Sequence, residues 1–179
     1  VDLALAFHRA GDAELARRLA EADLSHLRYS ERVARAIEMR LETVAEDREA
    51  VRRGAALFAL PIYAADGARA IWETADTIWV GLGDTSEDYN WYTKRMTLSA
   101  VYSSVVLYWL GDESADGQAT REFIERRIDN VMQFEKVKSA MRASPIGRIL
   151  ENGPGRLLDG VRAPGAARED LPGWWPKRP

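Results

Sequence analysis

Residues Gly83–Asp112 read GDTSEDYNWYTKRMTLSAVYSSVVLYWLGD, and this stretch is the strongest fold signal in the chain. Its Met96–Gly111 part holds 16 residues without a charge. That run is shorter than the roughly 18 apolar residues that a membrane span needs, and Ser and Thr interrupt it. We therefore predict a buried helix over 88–110, about 34 Å long. The segment before it predicts a helix–helix corner in which Thr85 and Asp88 form a capping box.

The rest of residues 1–142 also shows apolar residues at helical spacing, so further helices are predicted on both sides of this stretch. They cover residues 2–22, a segment that begins at Ser30 and carries Val33 to Val44, a segment from Glu46 to Pro61, the region around 71–82, and residues 118–141. Alternating β-branched residues, which would indicate strands, do not occur. The predicted fold class is all-α.

Composition excludes several classes of protein. The chain has 179 residues, no Cys and only two His, and its formal net charge is -3. It therefore has no disulfide or thiolate metal site, and its acidic balance disfavours a nucleic-acid partner. The tripeptide Gly81-Leu82-Gly83 lacks the third Gly of a dinucleotide-binding fingerprint. Asp23-x-x-His26 is a single near-match to a metal motif, and His8 is interpreted as a structural residue. We predict no catalytic residue, no metal and no cofactor.

Residue 143 marks a change in composition. Six of the seven Pro lie at or beyond Pro145, and this part holds 6 basic and 4 acidic residues against 19 and 24 before it. We predict a helical body over 1–142 and a Pro/Gly-rich tail over 143–179. Short amphipathic turns with Arg and Trp suit a membrane surface, although such a tail can also pack on the body or on a second subunit. The candidate membrane-binding residues are Ile146, Ile149, Leu150, Leu157, Leu158, Trp174 and Trp175.

Aromatic residues concentrate in one region, since eight of the sixteen lie within residues 72–109. Trp91 and Tyr92 are adjacent, so on a helix they point about 100° apart and cannot both face one narrow core. Two interpretations stay open at this point. The aromatic residues form the core of a helix–helix corner, or they form a surface patch that recognises another protein.

A family resemblance rests on these same motifs. Trp72-Glu73-Thr74-Ala75-Asp76 and the block Gly83–Arg95, continued by Leu107–Leu110 and Phe123–Val131, resemble the ninth Coq protein family. Members of that family are ubiquinone-biosynthesis accessory proteins with a fold like that of TetR regulators. The resemblance covers most of residues 28–141 and is weak beyond residue 143.

The resemblance implies a function. Such a protein is not an enzyme; it binds a polyprenylated quinone intermediate, or another isoprenoid quinone or phospholipid, and presents it to the di-iron demethoxyubiquinone hydroxylase. By position, the partner-binding residues would be Asp88, Trp91, Tyr92 and Arg95. A helix-turn-helix would precede Val1. The expected protein is cytoplasmic, peripheral on a bacterial inner membrane, and a homodimer through its last two long helices.

A lipid tail needs an apolar cavity between helices. The candidate lining residues are Phe58, Ile71, Ile78, Met96, Val101, Val105, Val131 and Phe134. At helical spacing such residues also form an ordinary core. The alternative function is the ligand-binding and dimerisation domain of a TetR-type transcription regulator, which would also be all-helical.

Overall fold

The computed structural model describes residues 1–143, with side chains through Gln133. Within that range the chain is helical and contains no strand, which confirms the predicted all-α class. The six α-helices are α1 (Asp2–Glu21), α2 (Tyr29–Glu42), α3 (Arg48–Phe58), α4 (Ala64–Gly81), α5 (Tyr89–Gly111) and α6 (Gln118–Ala143). Single 3₁₀ turns precede α3 and α6.

Some predicted residues lie outside the described part of the chain. They are the side chain of Phe134 and the seven tail residues Ile146, Ile149, Leu150, Leu157, Leu158, Trp174 and Trp175. The predicted membrane role of the tail stays a prediction.

The core lies where five of the six helices meet. Leu15, Ile37, Ile78, Val105 and Ile124, one each from α1, α2, α4, α5 and α6, have no solvent exposure. Helix α4 packs against both α1 and α5, and α6 closes the bundle against α2 and α5. Apolar side chains at helical spacing bury themselves in this way because removing each of them from water stabilises the fold by about 1.5–3 kcal/mol.

Helix α3 differs from the others because it contributes no fully buried residue. Two of its arginines hold it to the end of α5: Arg48 Nη2 donates to the Asp112 carbonyl at 2.7 Å, and Arg52 Nη2 donates to the Leu110 carbonyl at 2.6 Å. The Arg48 guanidinium also lies 4.9 Å from the centroid of the Trp109 ring. Helix α3 thus forms one wall of the bundle without filling its centre.

The corner before α5 differs from its prediction. Gly83, with φ +78°, follows α4, and the Asp84 amide bonds back to the Trp79 carbonyl at 2.9 Å. This Schellman geometry needs the left-handed conformation that Gly adopts without strain. Asp88 is the N-cap, since its Oδ1 accepts from the Asn90 amide at 2.9 Å. The predicted capping box from Thr85 was wrong because the helix begins three residues later.

The start of α2 also differs from its prediction. The helix begins at Tyr29, and Arg28 occupies the N-cap position that the sequence assigned to Ser30. The Glu31 carboxylate accepts from the Arg28 amide at 2.7 Å, so a side chain of the first turn satisfies this free N–H.

Candidate functional site

Three aromatic side chains from α4 and α5 form the first candidate site. Trp72 lies on α4, and Trp91 and Tyr92 lie in the first turn of α5. The ring centroids are 5.8 Å apart for Trp72 and Trp91, 6.5 Å for Trp72 and Tyr92, and 4.8 Å for Trp91 and Tyr92. All three side chains are half-buried. We call this group the aromatic surface, because each member keeps part of its area in contact with solvent.

A buried arginine supports the aromatic surface from below. Arg95 is 1% exposed. Its Nε donates to Asp76 Oδ1 at 2.6 Å, and its Nη1 donates to Asp84 Oδ2 at 3.1 Å and to the Trp91 carbonyl at 3.2 Å. Its guanidinium carbon lies 4.0 Å from the centroid of the Trp91 ring, so the cation also stacks on that ring. Arg95 therefore fixes the orientation of Trp91.

Asp84 connects this arginine to a lysine. Lys94 Nζ donates to Asp84 Oδ1 and to Ser86 Oγ, both at 2.7 Å. Burial alone would raise the pKa of Asp84, but hydrogen bonds from Lys94, Ser86 and Arg95 outweigh burial and lower this pKa to about 2. Asp84 is thus ionised at neutral pH and holds two cations beneath the surface.

The structure separates the four predicted partner-binding residues. Trp91 and Tyr92 are half-buried and lie together, and Asp88 is exposed at the start of α5. Arg95 differs from its prediction, because its buried guanidinium supports Trp91 and does not reach solvent. Sequence reasoning missed Trp72 as a member of the surface, although the family motif that begins at this residue was a signal.

A cavity of about 460 Å³ forms the second candidate site. It lies between α1, α2, α3, α4 and α5, and we call it the main cavity. Its lining is mostly apolar and includes Phe7, Leu41, Val44, Val51, Ala55, Leu57, Phe58, Ile71, Val106 and Trp109. This volume falls within the roughly 300–1,000 Å³ typical of small-molecule sites.

The main cavity has an open end and a closed end. Leu3, which is 84% exposed, lines it together with the exposed residues Ala50 and Arg53. Arg40 and Tyr102 line it as well, but they are only 2% and 3% exposed. The first three residues therefore mark the mouth and the last two mark the floor.

The eight predicted lipid-binding residues do not share one cavity. Phe58 and Ile71 line the main cavity. Val101 and Val131 line a separate cavity of about 220 Å³, together with Tyr29, Trp79 and Lys94. The remaining described members differ from the prediction: Ile78 and Val105 are fully buried core residues, and Met96 is 62% exposed and lines neither cavity.

Sequence reasoning missed three polar residues that line the main cavity. His8, Arg40 and Tyr102 line it. The sequence interpretation gave His8 a structural role, and its Nε2 does lie 3.0 Å from the Ala70 carbonyl and 2.8 Å from Thr74 Oγ1. Periodicity could not reveal this cluster because its members come from α1, α2 and α5, far apart in the chain.

No group of three or more His, Asp or Glu side chains in the described part of the chain is placed to hold a metal ion. Among the helices of residues 1–143, none is both long and apolar enough to cross a bilayer.

Sequence comparisons find relatives that are named ubiquinone biosynthesis proteins. The COQ9 family model matches residues 64–135. The probable ubiquinone biosynthesis protein coq9, mitochondrial, of Dictyostelium discoideum is 31% identical over 144 residues, which is 77% of this chain and 47% of that protein. The human ubiquinone biosynthesis protein COQ9, mitochondrial, is 31% identical over 112 residues, which is 60% of this chain and 35% of that protein. The chain thus spans less than half the length of these relatives.

A structural comparison agrees with the predicted fold. The crystal structure of the TetR transcriptional regulator from Nitrosomonas europaea matches with a TM-score of 0.56 and 20% sequence identity, covering 69% of this chain and 68% of that one. Identity this low shows a shared fold alone. The predicted family resemblance is confirmed: residues 64–135 match the COQ9 family model, and the chain has a helical fold like that of this TetR regulator.

Proposed function

We propose that this chain acts in ubiquinone biosynthesis as a non-catalytic lipid-binding protein. In this proposal it binds a polyprenylated quinone intermediate and presents it to the di-iron demethoxyubiquinone hydroxylase. The names of its relatives support the pathway, since both describe ubiquinone biosynthesis proteins. The observation that carries lipid binding is the main cavity, because an apolar space of about 460 Å³ between helices suits an apolar chain.

Mass spectrometry of the purified chain tests lipid binding. Protein expressed without delipidation should yield an isoprenoid quinone or phospholipid on organic extraction. The matched variants are Ala55→Phe, which places a ring in the main cavity, and Ala56→Phe, which changes an exposed neighbour that does not line it. We expect less lipid per protein from Ala55→Phe only. Protein without lipid, or equal lipid from both variants, would contradict the proposal.

The aromatic surface supports the second half of the proposal. Half-buried Trp and Tyr side chains over a fixed arginine provide a rigid area for a partner protein, and such residues dominate binding energy at many interfaces. Arg95 holds the Trp91 backbone by a hydrogen bond to its carbonyl and holds the Trp91 ring by a cation–π contact before any partner binds. Less conformational freedom is then lost on association.

Affinity measurements with the purified hydroxylase test this surface. Trp91→Ala should weaken binding about 10-fold or more, the effect of losing an interface residue worth 1.4 kcal/mol or more. Tyr108→Ala is the control, since Tyr108 is also an aromatic residue of α5 but stacks on Phe123 with ring centroids 4.2 Å apart, outside the aromatic surface. Trp91→Ala must keep the helicity of the wild-type protein while it loses affinity for the hydroxylase. Equal affinity of Trp91→Ala and wild type would remove the aromatic surface from the interface.

The tail and the oligomeric state complete the proposal. We propose that residues 143–179 attach the protein to the inner membrane of a bacterium, on its cytoplasmic side, and that α5 and α6 form a homodimer. Flotation with anionic vesicles should carry the full chain further than a chain that ends at Arg142. Equal flotation would remove the tail from membrane binding, and a monomeric mass in solution would remove the dimer.

A further inference from the structure

A second cavity, of about 220 Å³, lies between α2, α4, α5 and α6. In the described part of the chain, no residue of its lining also lines the main cavity. Its volume is below the roughly 300–1,000 Å³ of most ligand sites, so it can hold only a small molecule. Its deepest wall is aliphatic, and the residues of that wall are Val33, Leu98, Val101 and Ile128, each at most 8% exposed.

Trp79 gives this cavity a polar group without a partner. The side chain lines the cavity and is 7% exposed. Its Nε1 is buried and has no hydrogen-bond partner among the described residues. The Tyr29 ring stacks on the indole with centroids 5.9 Å apart, which limits its rotation. A buried N–H without an acceptor costs free energy, and a bound oxygen atom that accepts from it would remove this cost.

Lys94 supplies a second donor close to the first. It lines the same cavity, and its Nζ lies 5.6 Å from the centroid of the Trp79 ring. Asp84 Oδ1 and Ser86 Oγ each accept from this Nζ at 2.7 Å. An ammonium group carries three N–H donors. Within the described part of the chain, one N–H of Lys94 is therefore left for a ligand.

The charge of the lining favours an anionic ligand. Lys94 is charged, and the lining in the described part of the chain contains no Asp or Glu that would repel an anion. The carboxylate of Asp84 also accepts from Arg95 Nη1 at 3.1 Å, so its negative charge is divided between two cations. A carboxylic acid is ionised at neutral pH, and hydrogen bonds to a charged group are stronger than neutral ones.

We propose that the second cavity binds a small amphipathic carboxylate. Its oxygens accept hydrogen bonds from Lys94 Nζ and Trp79 Nε1, and its apolar part packs against the aliphatic wall. Tyr29, Asn90 and Met132 line the cavity and are exposed, so they mark its opening. This site goes beyond the proposed function, because it is separate from the main cavity and takes a different class of ligand.

Nuclear magnetic resonance of the full chain tests the site directly. The probes are hexanoate and its uncharged methyl ester, and the signals are the indole N–H groups of the six Trp. Trp79→Phe identifies the signal of Trp79 and keeps an aromatic ring against Tyr29. We expect hexanoate to shift this signal more than the other five, with saturation. The ester should bind about 10-fold more weakly, the effect of losing one charge-assisted hydrogen bond.

Two variants locate the binding further. Lys94→Met removes the cation and should raise the Kd of hexanoate about 10-fold while it leaves the Kd of the ester within twofold. Its helicity should equal that of wild type. Ala55→Phe is the matched control, since Ala55 lines the main cavity and not the second one. It should leave the Kd of hexanoate within twofold.

Three results would overturn this inference. The Trp79 signal stays in place at saturating hexanoate, the ester binds as tightly as hexanoate, or Ala55→Phe abolishes hexanoate binding and so assigns it to the main cavity. The first and third can be read from proteins that keep Lys94 and Trp79, so they hold even if Lys94→Met fails to fold. None of them changes the lipid extraction result, which tests the proposed function separately.

Discussion

Two buried arginines pair with aspartates in this molecule, and their surroundings differ. Arg95 lies between α4 and α5 and bonds to Asp76, Asp84 and the Trp91 carbonyl, while its cation covers the Trp91 ring. Arg40 lies between α1 and α2 and bonds to Asp12 at the floor of the main cavity. The two guanidinium groups are almost equally buried, at 1% and 2% exposure.

The two arginine–aspartate centres differ in whether a buried polar atom is left without a hydrogen-bond partner. The Arg95 centre is closed, because its aspartate Asp84 accepts from both Arg95 and Lys94. A centre that is paired in this way keeps the aromatic surface in one conformation. The Arg40 centre borders the main cavity, and Asp12 Oδ2 accepts no hydrogen bond from the described residues. A buried ion pair contributes little net stability by itself, so the two centres indicate preorganisation, one of a protein-facing surface and one of a cavity.

The largest expected effect is on the closed centre. Arg95→Met should lower the free energy of unfolding by about 3–5 kcal/mol, because it leaves the buried carboxylate of Asp84 with one cation fewer. Urea denaturation measures this change. Arg126→Met is the control, since Arg126 and Glu122 form an exposed pair 3.9 Å apart and such pairs contribute about 0–1 kcal/mol. A loss below 1 kcal/mol for Arg95→Met would show that this centre is not structural.

A glycine tests the packing of the other centre. A Cβ at Gly11 would lie 2.7 Å from Arg40 Nη1 and 2.8 Å from Arg40 Cζ. Gly11→Ala should cost about 1–3 kcal/mol in urea denaturation, because hydrogen bonds keep the guanidinium from moving aside. Gly54→Ala on α3 has open space around its added methyl group and should stabilise by about 0.5–1 kcal/mol. Equal effects of the two variants would mean that Arg40 moves freely.

The closed centre should also respond to acid. The pKa of Asp84 is lowered from 3.8 to about 2 in the folded state, so its contribution is fully present above pH 4. It should be lost as the pH falls from about 4 to about 2, and the loss is about 2 kcal/mol. Unfolding free energies measured across this range should show a smaller acid dependence for Asp84→Asn than for wild type. The same slope for both proteins would contradict this linkage.

The smallest expected effect concerns Asp88, and its variants distinguish a helix-capping role from a partner-binding role. Asp88→Ala should cost about 1 kcal/mol by thermal or urea denaturation, because Asp88 Oδ1 caps α5 through the Asn90 amide. Asp88→Ser should restore that stability, since Ser is an equally good N-cap. If Asp88→Ser still weakens hydroxylase binding, the carboxylate contacts the partner. If it does not, Asp88 serves the aromatic surface only as a cap.

Helical periodicity predicted most of the fold. It located the long helices α1, α4, α5 and α6, because each buries a stripe of apolar residues and such a stripe is visible in sequence. Helix starts were harder, as Ser30 and Thr85 show, since several polar residues near each start can cap and local geometry selects one. The neighbourhood of Trp91 and Tyr92 was identified by motif, but the burial of Arg95 was not, because charged side chains are rarely so deep.

The order of residues along the chain is sufficient to establish the all-helical class, the acidic character of the body and the family resemblance. These are local or compositional properties, and none depends on which helix meets which. Tertiary structure alone shows that Trp72 joins Trp91 and Tyr92, that Met96 is exposed to solvent, and that Arg40, Tyr102 and His8 line one cavity. Such groupings arise from packing between helices distant in sequence, because side-chain burial depends on the neighbours that the fold supplies.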